Sequence, residues 1–251
     1  MSLAGTLRIA AAIALAAFAL AGTAAAQPPP KGVTSMELIG TIGAYRVGAN
    51  LTIQDYQQFV AGHYFYATKL IDIPLTGHMD GESLKMQEPG GGEFYLHLVS
   101  NGSAAGQPLS FYNSVALEGT WTSGKTTLPV KLGFSYDAPP QGPYYTDVTT
   151  EPDAAFEARA QRFLHGALTG DRAEAAGAVS YPLSVNGKRP MTIRNKAALI
   201  AHWSAIFTPK YLALLKDAIP HEMFVHEGQA MVGNGEAWFD AKGASVLNLP
   251  D

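Results

Sequence analysis

Between residues 36 and 136 apolar and polar positions alternate with a period of two, the spacing of a strand that buries one face. In EFYLHLV, Phe94, Leu96 and Leu98 fall on one side while Tyr95, His97 and Val99 fall on the other. In TTLPVKLGF, Leu128, Val130, Leu132 and Phe134 share a side. Similar short runs cover 38–47, 59–67, 70–75, 84–86 and 114–122, separated by glycine-rich stretches at 77–81, 89–92, 101–106 and 123–124. Short, regularly spaced strands with no helical stretch predict an antiparallel meander, closed or curled into a small barrel or sandwich.

The segment APPQGP (138–143) ends this pattern, and 137–149 reads as a linker. Beyond it the period becomes 3.6. A helix is predicted to start at Thr150-Glu151-Pro152-Asp153, to bury Phe156, Ala160, Phe163, Leu164 and Ala167, and to stop at Gly170. Asp171 and Glu174 have capping-box spacing for a second, short helix. A hairpin follows, with Leu183 and Val185 before an Asn186-Gly187 turn and Met191 and Ile193 after it. Asn195 caps a third helix facing inward through Leu199, Ile200, Trp203, Ile206 and Phe207, and Thr208-Pro209 opens a fourth with Leu212 and Leu215 inward. Closing strands are predicted over 223–227, 230–232, 236–240 and 245–249.

Helices, a hairpin, helices and a meander make an α+β arrangement. The expected organisation is an all-β domain over 36–136 and an α+β domain over 150–251. Through FLHGALTGD, SYPLSVNG, TIRNKAALIAHWSAIFTP and GNGEAWFD, the second part resembles the nuclear transport factor two-like superfamily. That resemblance implies helices packed on a curved, cone-shaped sheet. It leaves function open between enzymes and binding or assembly modules. The first part, through GTIGAYRVGANLTI, VAGHYFY, IDIPLTG and LKMQEPGGG, resembles β-rich modules of uncharacterised bacterial envelope proteins, which implies no particular activity.

The first 26 residues read as a secretory signal peptide: Arg8, the apolar run 9–20, and Ala24-Ala25-Ala26 before a cleavage site. That run is shorter than the roughly 20 apolar residues that cross a bilayer. An extended proline-rich segment, 27–35, follows. Cleavage after Ala26 removes Arg8 and no acid, so the formal charge of −4 becomes −5. A mildly acidic chain lacks the field that phosphate backbones demand, which argues against nucleic-acid binding. The chain has no cysteine, which excludes disulfides, thiolate metal sites and cysteine nucleophiles. Export without disulfides points to a periplasmic or secreted bacterial protein.

Several motifs invite chemistry. Residues 119–126, including Gly119, Gly124 and Lys125, match the nucleotide-binding P-loop letter for letter. The residues that follow alternate and contain Pro129, so a hairpin is expected where a P-loop needs a helix. His221 and His226 are five apart in a predicted strand, so they do not form a zinc-protease pair, and neither a metal nor a cofactor is expected. A cone-shaped cavity would collect Tyr181, Arg194, His202, Glu236 and Trp238, with His202 and Glu236 as candidate acid–base groups. Among the first part's aromatics (Tyr45, Tyr56, Phe59, Tyr64, Phe65 and Tyr66), Tyr64 and Tyr66 are candidate stacking residues, and alternation allows only one of the pairs Tyr64/Tyr66 and His63/Phe65 to be core.

The reading these features favour is an exported, non-catalytic binding module of the envelope. Its partner would be an envelope protein, peptide or glycan, with homodimerisation through the second domain. A small-molecule isomerase, dehydratase or hydrolase is the alternative, and an inhibitor of an envelope-attacking protein a third.

Overall fold

The computed structural model describes residues 31–102, 106–138 and 142–250. The expected leader, 1–26, lies outside the described residues, as do residues 27–30 and 139–141. Eight strands form the first half: β1 (Val33–Ile42), β2 (Tyr45–Gln54), β3 (Gln58–Tyr66), β4 (Ile73–Asp80), β5 (Ser83–Gln87), β6 (Glu93–Ser100), β7 (Ser114–Ser123) and β8 (Thr126–Ala138). Each pairs antiparallel with the next, and β8 returns to β1, with Phe134 opposite Leu38, so the sheet closes into a barrel. Closure removes the unpaired strand edges that would otherwise template aggregation. The inward positions, among them Leu38, Leu51, Leu84, Leu96 and Leu117, are fully buried. Barrel coiling brings strands very close at Gly40 and Gly119, where a Cβ would run into the carbonyl oxygens of Lys131 and Tyr95 respectively.

Strand boundaries differ from the sequence pattern in two places. The run 38–47 is two strands joined by Gly43-Ala44, with Gly43 at φ 59°. A two-residue turn preserves alternation across itself, so the pattern alone does not reveal it. The run 70–75 enters a strand only at Ile73, and Gly77, expected to be punctuation, lies inside β4. The P-loop look-alike is the expected hairpin: Ser123 pairs with Thr126, Gly124-Lys125 form the turn, and strand β8 follows.

The second half comprises α1 (Asp153–Thr169), α2 (Arg172–Gly177), β9 (Val179–Asn186), β10 (Met191–Ile193), α3 (Lys196–Ala201), α4 (Trp203–Ile206), α5 (Pro209–Lys216), β11 (Phe224–His226), β12 (Gln229–Val232), β13 (Ala237–Asp240) and β14 (Gly243–Asn248). The sheet order is β10-β9-β14-β13-β12-β11, with only the β14–β9 pair parallel. Its helices bury Phe156, Phe163, Leu199, Phe207, Tyr211 and Leu215 in one core with Phe239 and Leu247 of the sheet. Three caps form as the sequence implies, with Asp171 accepting from the amides of Ala173 and Glu174, Asn195 from Ala198, and Thr208 from Tyr211, whereas α1 has Pro152 at its N-cap and no side-chain cap. Gly170 ends α1 in the left-handed conformation.

Three local expectations are corrected. The single third helix divides into α3 and α4 at His202, and Ile200, at the margin of the inward stripe, is 38 % exposed. The β9–β10 connection spans 187–190 and is wider than a tight Asn-Gly turn. The expected linker is not a free tether in its described part. Tyr145 is fully buried, and the amides of Tyr144 and Tyr145 donate to Asp153 at 2.7 and 3.3 Å. Among the described residues no helix is long and apolar enough to cross a membrane.

Gly119→Ala should destabilise the protein by about 2 kcal/mol or more, because a strand carbonyl occupies the space of the new methyl group. Lys125→Ala, at an exposed turn, should stay within about 0.5 kcal/mol of the parent. Urea unfolding of the two variants checks both values.

Candidate functional site

The outer face of the barrel carries a row of polar residues set side by side by strand register. Glu37 of β1 lies opposite both Tyr136 of β8 and Asn50 of β2, and Asn50 lies opposite His63 of β3. On a bare barrel these side chains would face water. Here Glu37 is only 3 % exposed and Asn50 7 %, because segments of the second half lie over them. Phe65, also on the outer side of β3, is buried against the ring of His221, with centroids 4.4 Å apart. Tyr64 and Phe65 are thus both buried, one inside the barrel and one beneath this cover. Alternation selects a single pair only when one face of a strand meets water.

Every member of the row acquires a partner. Ser35 Oγ donates to Asn50 Oδ1 at 2.7 Å, and Asn50 Nδ2 donates to Glu37 Oε1 at 2.5 Å. Tyr144 donates to the same Glu37 oxygen at 3.4 Å. From the covering side, Glu222 Oε1 sits 2.9 Å from His63 Nε2, and the Glu222 carbonyl accepts from Tyr136 at 2.5 Å. His221 spans two carboxylates, with Nδ1 2.6 Å from Glu157 Oε2 and Nε2 3.0 Å from Asp72 Oδ1. Glu157, on the buried face of α1, also accepts from the Glu222 amide at 2.9 Å and from Tyr145 at 2.8 Å, and Tyr145 accepts from the Met223 amide. These bonds hold Glu222 at φ 47°, a left-handed conformation that a residue with a side chain adopts at a cost of about 1–3 kcal/mol.

One atom of this network remains unsatisfied. Glu222 Oε2 is buried and has no hydrogen-bond partner. Burial and the neighbouring Glu222 charge hold the Glu37 carboxyl well above the usual carboxylate range, against the opposing bonds from Asn50 and Tyr144. Burial alone would lower His221, but its bonds to Asp72 and Glu157 and their charges raise it to about 10. His63 is raised in the same way by Glu222 and Asp72 against its burial. Asp72 is lowered, since the two histidines outweigh its own burial.

Glu37 and Glu222 line a cleft of about 700 Å³ between the barrel and the second sheet. Its walls include Phe65, Phe134 and Tyr136 from the barrel, and Ile219, Phe224 and Met231 from the other side. Arg46 and Asp217 also line it, joined by a bond from Arg46 Nη1 to the Asp217 carbonyl at 2.7 Å. An apolar cleft with a few convergent polar groups and perturbed titrations has the form of a ligand site. Among the described residues no group of three or more His, Asp or Glu side chains is arranged to hold a metal ion.

The residues singled out from sequence scatter around this cleft. Glu236 lines it, with its carboxylate accepting from the Asn234 amide at 2.5 Å. His202 is exposed where α3 meets α4 and does not line it. Arg194 is exposed beyond β10, and Tyr181 donates to the Ala176 carbonyl at 3.1 Å. Trp238 is half-buried on β13, opposite Met231. Tyr64 is buried in the barrel, packed edge-on against Phe94 and Tyr66 and bonded to Glu88. Tyr66 is half-buried and meets Tyr45 edge-on as well, so these rings present edges to one another and form no flat stacking surface. Sequence reading missed Glu37, Asp72, Glu157, Tyr136, Tyr144 and Glu222, and it weighed His63 only as a core alternative and His221 only as half of a zinc pair. For Glu37 and His63 the available signal was an acid or histidine at an outward strand position, and such a residue normally meets solvent.

Three consequences follow for stability. His221 contributes stability that is fully present below its unfolded value of about 6.5 and is lost as pH rises towards about 10. Glu37, raised in the fold, loses stability in the same direction, beginning at its unfolded value of about 4.5. Asp72 acts oppositely, losing its contribution at acid pH. The melting temperature should therefore fall between about pH 6 and about pH 10. His221→Ala should cost about 3–5 kcal/mol, since it leaves Glu157 buried without its cation. Glu37→Gln, which keeps an acceptor for Asn50 and offers an N–H towards Glu222, should melt no lower than the parent at about pH 8 and reduce the alkaline decline. Calorimetric melting across pH checks all three.

Comparison with family models, with curated proteins and with solved structures finds no match to this chain.

Proposed function

We propose that this chain is an exported, non-catalytic binding protein of the bacterial envelope, and that its ligand site is the cleft between the barrel and the second sheet. The observation that carries the reading is the meeting of two acids from opposite walls, Glu37 of β1 and strained Glu222, on one largely apolar cleft of about 700 Å³. Strain held by a surrounding bond network is typical of a site organised for a ligand. The leader-like first 26 residues and the absence of cysteine support the exported setting. The order of helices and strands over 150–250, with helices sharing a core with a six-stranded sheet, supports the nuclear transport factor two-like reading of the second half as a separate domain. Homodimerisation through that domain remains part of the proposal.

A proton-transfer enzyme is the second reading, and the same acid pair favours it. A neutral acid beside a carboxylate is the arrangement that general acid–base chemistry uses. Glu37 and Glu222, rather than His202 and Glu236, would then carry the chemistry.

Ser135 lies on the exposed side of β8 and lines the cleft, so Ser135→Trp fills the site without entering the core. Small-molecule thermal-shift screening of parent and variant tests the proposal. Ligands that raise the melting temperature of the parent should lose the effect in Ser135→Trp, and retention of the full shift would place binding elsewhere.

A further inference from the structure

We infer that the Glu37–Glu222 pair is the recognition point for the primary ammonium group of an organic cation, whose hydrocarbon part lies along the aromatic wall of the cleft. This rests on the reading of the cleft as the ligand site and adds the chemical class of its ligand.

The charge balance of the lining comes first. It holds four acids, Glu37, Asp217, Glu222 and Glu236, against two cations, Arg46 and His221. Both cations already have carboxylate partners in the protein. Arg46 is bonded to the Asp217 carbonyl, and its guanidinium lies 3.5 Å from the Asp217 carboxylate. His221 uses both ring nitrogens on Glu157 and Asp72. His221 has no ring nitrogen left for an anionic ligand, and such a ligand would face the excess of acids.

The second argument is the buried Glu222 Oε2, which lacks a donor while its sister oxygen is held by His63. A primary ammonium brings three N–H donors and a compact charge, and so serves two carboxyl groups on opposite walls at once. A guanidinium is a planar fork matched to both oxygens of one carboxylate, and here one Glu222 oxygen is occupied. A quaternary ammonium has no N–H and leaves the oxygen unsatisfied.

The third is the wall itself. Tyr136 and Phe224 meet edge-on with centroids 5.0 Å apart, and Phe65 and Phe134 also line the cleft. Aromatic faces attract a cation and its adjoining methylenes.

The pair carries a distinctive thermodynamic signature. Glu37 is faced by Glu222 and Tyr144 from the covering segments, by Tyr136 from β8 and by Asn50 from β2, with His221 and His63 beyond and Asp72 and Glu157 behind them. Burial and the Glu222 charge favour the protonated form of Glu37 when no cation is bound. An arriving ammonium takes that proton's place and releases it, so amine affinity rises with pH by up to about tenfold per unit while Glu37 remains protonated in the free protein.

The experiment is isothermal titration of the full chain with hexylamine and cadaverine, and with butylguanidine, tetramethylammonium, hexanol and acetate as controls. It is run in buffers of different ionisation enthalpy. The expected result is saturable binding of the two amines with release of up to about one proton, and weaker or no binding of the controls. Glu222→Gln should weaken the amines at least about tenfold, and Glu37→Gln should abolish the proton release. Circular dichroism and melting of each variant confirm that it is folded. Binding of a control in preference to the amines at a site blocked by Ser135→Trp would overturn the inference and leave the ligand site standing. Amine binding without proton release, or unchanged in Glu222→Gln, would also overturn it. Absence of binding by every probe would overturn the inference, while a hit from the wider screen that Ser135→Trp abolishes would still uphold the ligand site.

Discussion

Covering a polar strip on the outside of a barrel imposes a strict condition: each charged or hydrogen-bonding group removed from water must find a partner in the cover. Glu37, Asn50 and His63 meet that condition through Glu222, Tyr144 and one another. Groups on the covering side, Glu157 and Tyr145, fasten the backbone of 222–223 in return. The two halves of the chain are thus joined by charge and directed bonds as well as by apolar contact. Such a junction is specific, because a shift of one residue in any strand would leave a carboxylate or histidine buried alone.

The same condition accounts for the cleft. A contact made of converging polar side chains does not fill space as a hydrocarbon core does, and about 700 Å³ stays open beside Glu37 and Glu222. The left-handed backbone at Glu222 follows from it as well. In this conformation its amide reaches Glu157, its carbonyl Tyr136 and its carboxylate His63 at once. Strain, the unsatisfied oxygen and the open space therefore coincide at one residue. Their common position makes Glu222, rather than Glu236, the pivot of the candidate site.

Much of the architecture was legible in the residue pattern. The inward positions of β6 and β8 are those that alternation selects, and Phe156, Ala160, Phe163, Leu164 and Ala167 of α1 are the helix face that the 3.6 period selects. Turn chemistry resolved the P-loop look-alike, since alternating residues after Lys125 continue a strand. The pattern failed where its assumption of one wet face failed. Phe65 is buried on the outer side of β3, and Glu157 is buried on a helix face otherwise read as apolar. The candidate site was hidden for the same reason. Nothing in the pattern separates Glu37 in SMELIG or Asn50 in GANLTI from a solvated strand residue, and alternation leaves His63 in AGHYFY open between core and solvent.

By itself the sequence determined the strand and helix periods, most caps and turns, and the change from an all-strand half to a mixed half, because these depend on residues a few positions apart. Closure of β8 onto β1, the register that sets Tyr136, Glu37, Asn50 and His63 in one row, and the placing of 221–222 over that row were decided only in three dimensions. The physical reason is separation along the chain: His63 and Glu222 are 159 residues apart, and a carboxylate's protonation depends on its neighbours in space rather than in sequence.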